Sequence, residues 1–157
     1  MPDSLSCPDA VLGEICASRA WVAAMAAARP WPGGAALLAA NDAATAALGE
    51  ADLREAIAGH ARIGRPREGD AASRREQAGV RGADAALLAE LAEANAAYEA
   101  RFGHVFLICA TGRGAAEMLA ALRERYGNDP AAEWEVVREE LRRINAIRLE
   151  RWAEGRG

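Results

Sequence analysis

The sequence predicts an all-α fold: a single-domain compact helical bundle of about seven to eight helices spanning residues 1–157. Roughly a quarter of the residues are alanine, a strong helix former whose small side chain lets helices approach closely. Aromatic residues make up only 5% of the chain, which thins the bulky core and favours packed helices over a sheet. At 157 residues the chain is long enough to bury one proper core and too short for a second domain of ordinary size.

Residues 8–18 carry Val11, Leu12, Ile15 and Cys16 at helical spacing. Ser18 is placed to cap a second helix holding Trp21, Val22 and Met25, which ends before Pro30 and Pro32. Gly33-Gly34 reads as a turn, followed by an alanine- and leucine-rich helix to about Leu48. Glu50 to about Gly59 is a short helix with Leu53, Ala56 and Ile57 inward, stopping at His60. Residues 61–72 read as a loop, and Ser73-Arg74-Arg75-Glu76 has capping-box spacing. A long helix is expected from about Ala83 to Arg101, another from Gly114 to Tyr126, and a last from Asp129-Pro130 to about Ala153.

The run Glu99 to Arg113 interrupts this pattern. It is aromatic and β-branched, and its extended backbone leaves N–H and C=O groups without a helical ladder, so they need other partners. A bound polar ligand is one such partner, which makes this segment the first candidate for a site.

Composition excludes several classes. The net charge is −4 with both signs interspersed, so no basic footprint marks a nucleic-acid or anionic-membrane partner. Cys7, Cys16 and Cys109 form no CxxC pair, and His60 and His104 lie in no ligand-spaced motif, so neither a disulfide framework nor a metal centre is expected. No leader-like start or membrane-spanning apolar run is visible, and the chain reads as cytoplasmic.

Three places carry candidate chemistry. His60 sits where a helix breaks, able to present an imidazole for proton transfer, or equally to cap the helix carbonyls. Ser73 to Gln77 can serve an anion at a helix start, although the capping box accounts for Ser73 and Glu76 without a ligand. The last helix interleaves Arg138, Arg142, Arg143 and Arg151 with Glu133, Glu135, Glu139, Glu140 and Glu150, which reads as a solvated face. Arg148 differs. It lies between Ile147 and Leu149, where a guanidinium calls for a carboxylate partner from the protein or from a ligand.

Taken in order, His60 to Gly64, Ser73 to Gly79, Tyr98 to Cys109 and Ile147 to Leu149 resemble the motifs of the 2-oxo-4-hydroxy-4-carboxy-5-ureidoimidazoline (OHCU) decarboxylases of urate degradation. Cys16 to Val22 is similar to that family's first capped helix, so the resemblance spans nearly the whole chain. It implies an all-α enzyme without metal or organic cofactor, often a homodimer, that makes S-allantoin and carbon dioxide. By resemblance His60 is the acid/base residue and Glu76 its carboxylate counterpart. Ser73 and Gln77 would bind the substrate's polar edge, and Arg148 its carboxylate or ureido oxygen. Ala61 and the backbone of Phe106, Leu107, Ile108, Cys109 and Ala110 would line the pocket. Ala20, Ala61 and Val105 stand where the family usually has proline, a change that removes no proton-transfer group.

The alternatives are a non-catalytic all-α small-molecule-binding module, which would bind without turnover, and, last, a helix-turn-helix regulator. The regulator would need a basic recognition helix, whereas the arginines here are interleaved with glutamates.

Overall fold

The computed structural model describes residues 5–60, 75–78 and 83–155. Among them are seven helices and no strand. Their bounds are α1 Asp9–Ile15, α2 Arg19–Ala27, α3 Gly34–Ala46, α4 Glu50–Ala58, α5 Ala85–Phe102, α6 Ala115–Tyr126 and α7 Pro130–Glu154. Arg75 and Glu76 add a helical turn, and an isolated antiparallel bridge joins Leu5 to Trp31. The expected all-α class is what the chain adopts.

Local chemistry explains where the helices begin and end. Cys16 turns extended and closes α1 earlier than its apolar spacing suggests. The Ser18 side chain then accepts from the Trp21 N–H at 3.3 Å, satisfying one of the donors left open at the start of α2. Asp84 does the same for α5, accepting from Leu87 N–H at 2.7 Å, and Asp129 for α7, from Ala132 N–H at 2.9 Å. Gly103 ends α5 in the left-handed region at φ 78°, which costs glycine little and most other residues more.

The chain divides into two compact units, residues up to 59 together with those from 138 onward, and residues 60–137. In the first, α2 packs against α1, α3 and α4, burying Leu12, Trp21, Met25, Leu37 and Leu53. Its buried polar centre is Asn41. The Asn41 carbonyl accepts from Trp21 Nε1 at 3.0 Å and from the Thr45 hydroxyl at 3.1 Å, while its amide donates to the Arg142 carbonyl at 3.0 Å. A buried amide so satisfied fixes the register of three helices at little desolvation cost.

In the second unit α5 packs against α6. Leu91 and Tyr98 from α5 meet Met118, Leu119 and Leu122 from α6, and Phe106, Ile108 and Ala110 join the same cluster. Full burial of each large side chain contributes about 1.5–3 kcal/mol. The extended segment is therefore anchored in the core through alternate side chains.

Candidate functional site

His60 follows directly on the Gly59 cap of α4 and is half-buried. Gly59 is required there: a Cβ would stand 2.8 Å from the Ala17 Cβ, too close for any real contact. The helix break expected at His60 is present.

Glu76 and Gln77 lie on the described helical turn, with only 8% and 6% of their surfaces exposed. A carboxylate so covered costs free energy unless it has polar partners, which sets it apart from an ordinary solvated glutamate. Ala61 and Ser73 lie outside the described residues, so the capping box is described only at its Glu76 end.

Phe106, Leu107, Ile108, Cys109 and Ala110 are all buried, in backbone that is neither helix nor strand. His60, Glu76, Gln77 and this segment belong to one compact unit, residues 60–137. Arg148 belongs to the other. It is half-buried there and its Nη1 donates to the Ile15 carbonyl at 2.8 Å, so its guanidinium serves the C-terminal end of α1. Beside it the Cys16 thiol is pushed above its ordinary range by burial, against the opposing pull of the Ser18 backbone, the Asn145 side chain and the Arg148 charge.

One expectation needs correction. Glu133, read from sequence as part of a solvated face, is completely buried, and Glu140 is buried as well. Burial of Glu133 is tolerated because Arg125 pairs with it. Arg125 Nη2 lies 2.7 Å and Nε 3.0 Å from Glu133 Oε2, while Asn128 Nδ2 donates to Oε1 at 3.2 Å. The Tyr98 hydroxyl donates to Glu133 Oε2 as well. Burial, then the bond to Glu133 and its charge, push that hydroxyl well above its usual range, so it remains a donor. Arg125 also donates through Nη1 to the Leu107 carbonyl at 2.7 Å, within the candidate pocket lining. These residues were missed in the sequence; the one available signal was the Arg125, Asn128, Glu133 succession across a helix–turn–helix joint.

Arg138 is also half-buried, its Nη2 donating to the Leu48 carbonyl at 2.9 Å, whereas the ion pairs around Glu139 match the expected pattern. Arg142 and Arg143 both pair with the half-exposed Glu139 at 2.7 and 3.1 Å, and Arg142 reaches Asp42 at 3.2 Å. His104 is half-buried and packs tilted against Trp134, with ring centroids 4.4 Å apart. Among the described residues no cluster of three His, Cys, Asp or Glu side chains is placed to hold a metal ion. No helix among them is long and apolar enough to cross a membrane.

Among the described residues, seven helices and one buried extended run match the fold of a helical decarboxylase. A crystal structure of OHCU decarboxylase in the presence of (S)-allantoin superimposes with a TM-score of 0.80 and 31% identity, over 93% of this chain and 98% of that one. The chain belongs to the OHCU decarboxylase family, whose sequence pattern residues 6–150 match. A 65-residue stretch is 49% identical to the uric acid degradation bifunctional protein TTL of Arabidopsis thaliana, 41% of this chain and 20% of that protein. Another of 74 residues is 43% identical to the 2-oxo-4-hydroxy-4-carboxy-5-ureidoimidazoline decarboxylase of Amia calva, 47% of this chain and 42% of that protein. The matched stretches thus span less than half the length of these two relatives. A crystal structure of (S)-allantoin synthase, at TM-score 0.68 and 20% identity over 90% of this chain and 48% of that one, shares the fold.

Proposed function

We propose that this chain is a cofactor-independent carboxy-lyase that converts 2-oxo-4-hydroxy-4-carboxy-5-ureidoimidazoline to S-allantoin and carbon dioxide in urate breakdown. The observation that carries the proposal is the end-to-end likeness to an OHCU decarboxylase crystallised in the presence of (S)-allantoin, together with family membership over residues 6–150.

The chemistry asks little of a protein. Carbon dioxide leaves from a carbon next to a ring imine, and the electron pair of the broken bond delocalises onto that imine. The substrate is its own electron sink, so the protein has to orient the carboxylate, stabilise the enol-type charge and deliver one proton to one face. His60 is the proposed acid/base residue, poised by type near neutral pH, and Glu76 its carboxylate counterpart. Gln77 and Ser73 bind the polar edge, Arg148 the carboxylate or ureido oxygen, and Ala61 with Phe106 to Ala110 line the pocket. The burial of Glu76 and Gln77, and of the segment from Phe106 to Ala110 in the same unit as His60, supports this reading. The proposed working form is one functional domain over residues 1–157, paired as a homodimer in the cytoplasm.

The decisive experiment is turnover of freshly generated ureidoimidazoline, followed by circular dichroism of the product. Optically active allantoin formed faster than the spontaneous reaction is expected. Racemic product at the spontaneous rate would refute the activity, and ligand binding without turnover would mark a binding module. A monomeric mass by light scattering at micromolar concentration would refute the dimer.

A further inference from the structure

The extended segment has a difficulty that helices do not share. From Val105 to Ala110 it has neither helical nor strand hydrogen bonding to hold its course, yet all of Phe106 to Ala110 is buried. Alternate side chains, Phe106, Ile108 and Ala110, are committed to the core cluster. That fixes depth, but apolar contacts are non-directional and do not fix where a peptide group points. Orientation needs a directional contact.

Arg125 supplies it. Its Nη1 donates to the Leu107 carbonyl at 2.7 Å, and its guanidinium carbon lies 4.5 Å from the centre of the Phe106 ring. Tyr98 meets the same ring edge-on, at 5.2 Å between centroids. Phe106 is thereby held between a cation and an aromatic edge, while the next peptide is pinned by a charge-assisted bond. The guanidinium itself cannot swing, because Glu133 takes Nε and Nη2 together and is in turn held by Asn128 and Tyr98. A planar fork with two donors on one carboxylate and a third on the carbonyl is a geometry that lysine cannot reproduce.

We infer that Arg125, oriented by Glu133 and Tyr98, is a positioning residue for the reaction: it sets the peptide orientation of the segment that lines the substrate. The inference rests on the proposed decarboxylase activity. Arg125 touches no reacting atom. It acts through the Leu107 peptide, and so bears on substrate affinity and on the face that receives the proton.

The test is Arg125→Lys in the full chain, with amide hydrogen exchange and steady-state kinetics measured well below the unfolding temperature. Exchange at Leu107 to Ala110 should quicken about tenfold while the α2 amides stay unchanged, and KM should rise about tenfold with a loss of enantiomeric excess, the scale of one directional contact. Tyr98→Phe, which removes one hydroxyl from Glu133, should move both readouts the same way and less, and it decides the matter if Arg125→Lys does not fold. A lowered unfolding temperature with unchanged exchange, KM and enantiomeric excess would show Arg125 to be structural only. Quickened exchange without the kinetic change, or the reverse, would equally overturn the inference. A wild-type protein that makes no optically active allantoin would sink the activity itself, a separate outcome.

Discussion

His60 and His104 have the same ring in unlike surroundings. His60 follows the Gly59 end of α4, whereas His104 packs tilted against Trp134 and edge-on to Tyr98. His60→Asn should keep the fold and lower turnover by about two to four orders of magnitude, the scale for losing a general acid or base. His104→Ala should leave turnover nearly intact and cost about 0.5–1.5 kcal/mol of stability through the lost ring contacts. Equal turnover in the two variants would reassign the proton donor. Arg148 is tested with two readouts, since it also donates to the Ile15 carbonyl. Arg148→Lys should weaken the site while retaining charge, and Arg148→Ala should nearly abolish optically active product. Arg142→Ala, which removes the ion pairs to Glu139 and Asp42, should lower stability slightly and leave the product unchanged. Normal enantiomeric yield from Arg148→Ala would make Arg148 no more than the cap of α1.

At the scale of the element, α7 is a helix of two characters. Glu139 is held at a pKa of about 2, first by its hydrogen bond from Arg142 and then by the nearby positive charges, against an ordinary value of 4.5. A depressed carboxyl stabilises the folded state above its unfolded pKa. That contribution is complete above about pH 4.5 and is lost as the pH falls towards 2. Because the side chain is 45% exposed, solvent screening limits it to about 1 kcal/mol or less. Glu139→Gln should therefore lower Tm at pH 6, with most of that gap gone by pH 2; a gap at pH 2 as large as at pH 6 would refute the ion-pair origin. The helix starts were legible in the sequence because a cap is a local event: Ser18 and Asp129 act within three residues. Glu133 was not. Its character depends on Arg125 at the end of α6, and a charged residue on a charged helix reads as solvated until its partner is known.

For the whole molecule, helix-forming composition and apolar spacing suffice to read the class, since each helix reports itself in a window of a few turns. The order of motifs from His60 to Leu149 suffices for the family, since no single one of them is specific. Which groups share a compact unit is a different kind of fact. Sequence spacing does not place Arg148 against Ile15, 133 positions away, or join Asn41 to the Arg142 carbonyl across 101 positions. Such pairings follow from topology. The candidate site residues were therefore legible as types at local structural breaks, and the Arg125–Glu133 pair behind the extended segment was not.

The interleaving of the two units bears on how the protein comes off the ribosome. Residues 60–137 are continuous, so their partners are all present once that stretch has emerged. The other unit is discontinuous: until the chain from Arg138 onward arrives, Asn41 lacks the Arg142 carbonyl and the Ile15 carbonyl lacks the Arg148 guanidinium. Long-range closure carries the larger entropic cost and comes later. During refolding followed by pulsed hydrogen exchange, amides of α5 and α6 should gain protection before those of α2 and α3. The reverse order would show that the early helices hold together unaided. In the expected order the nascent amino-terminal third stays incomplete for the longest time, which makes it the stretch most dependent on chaperones during synthesis.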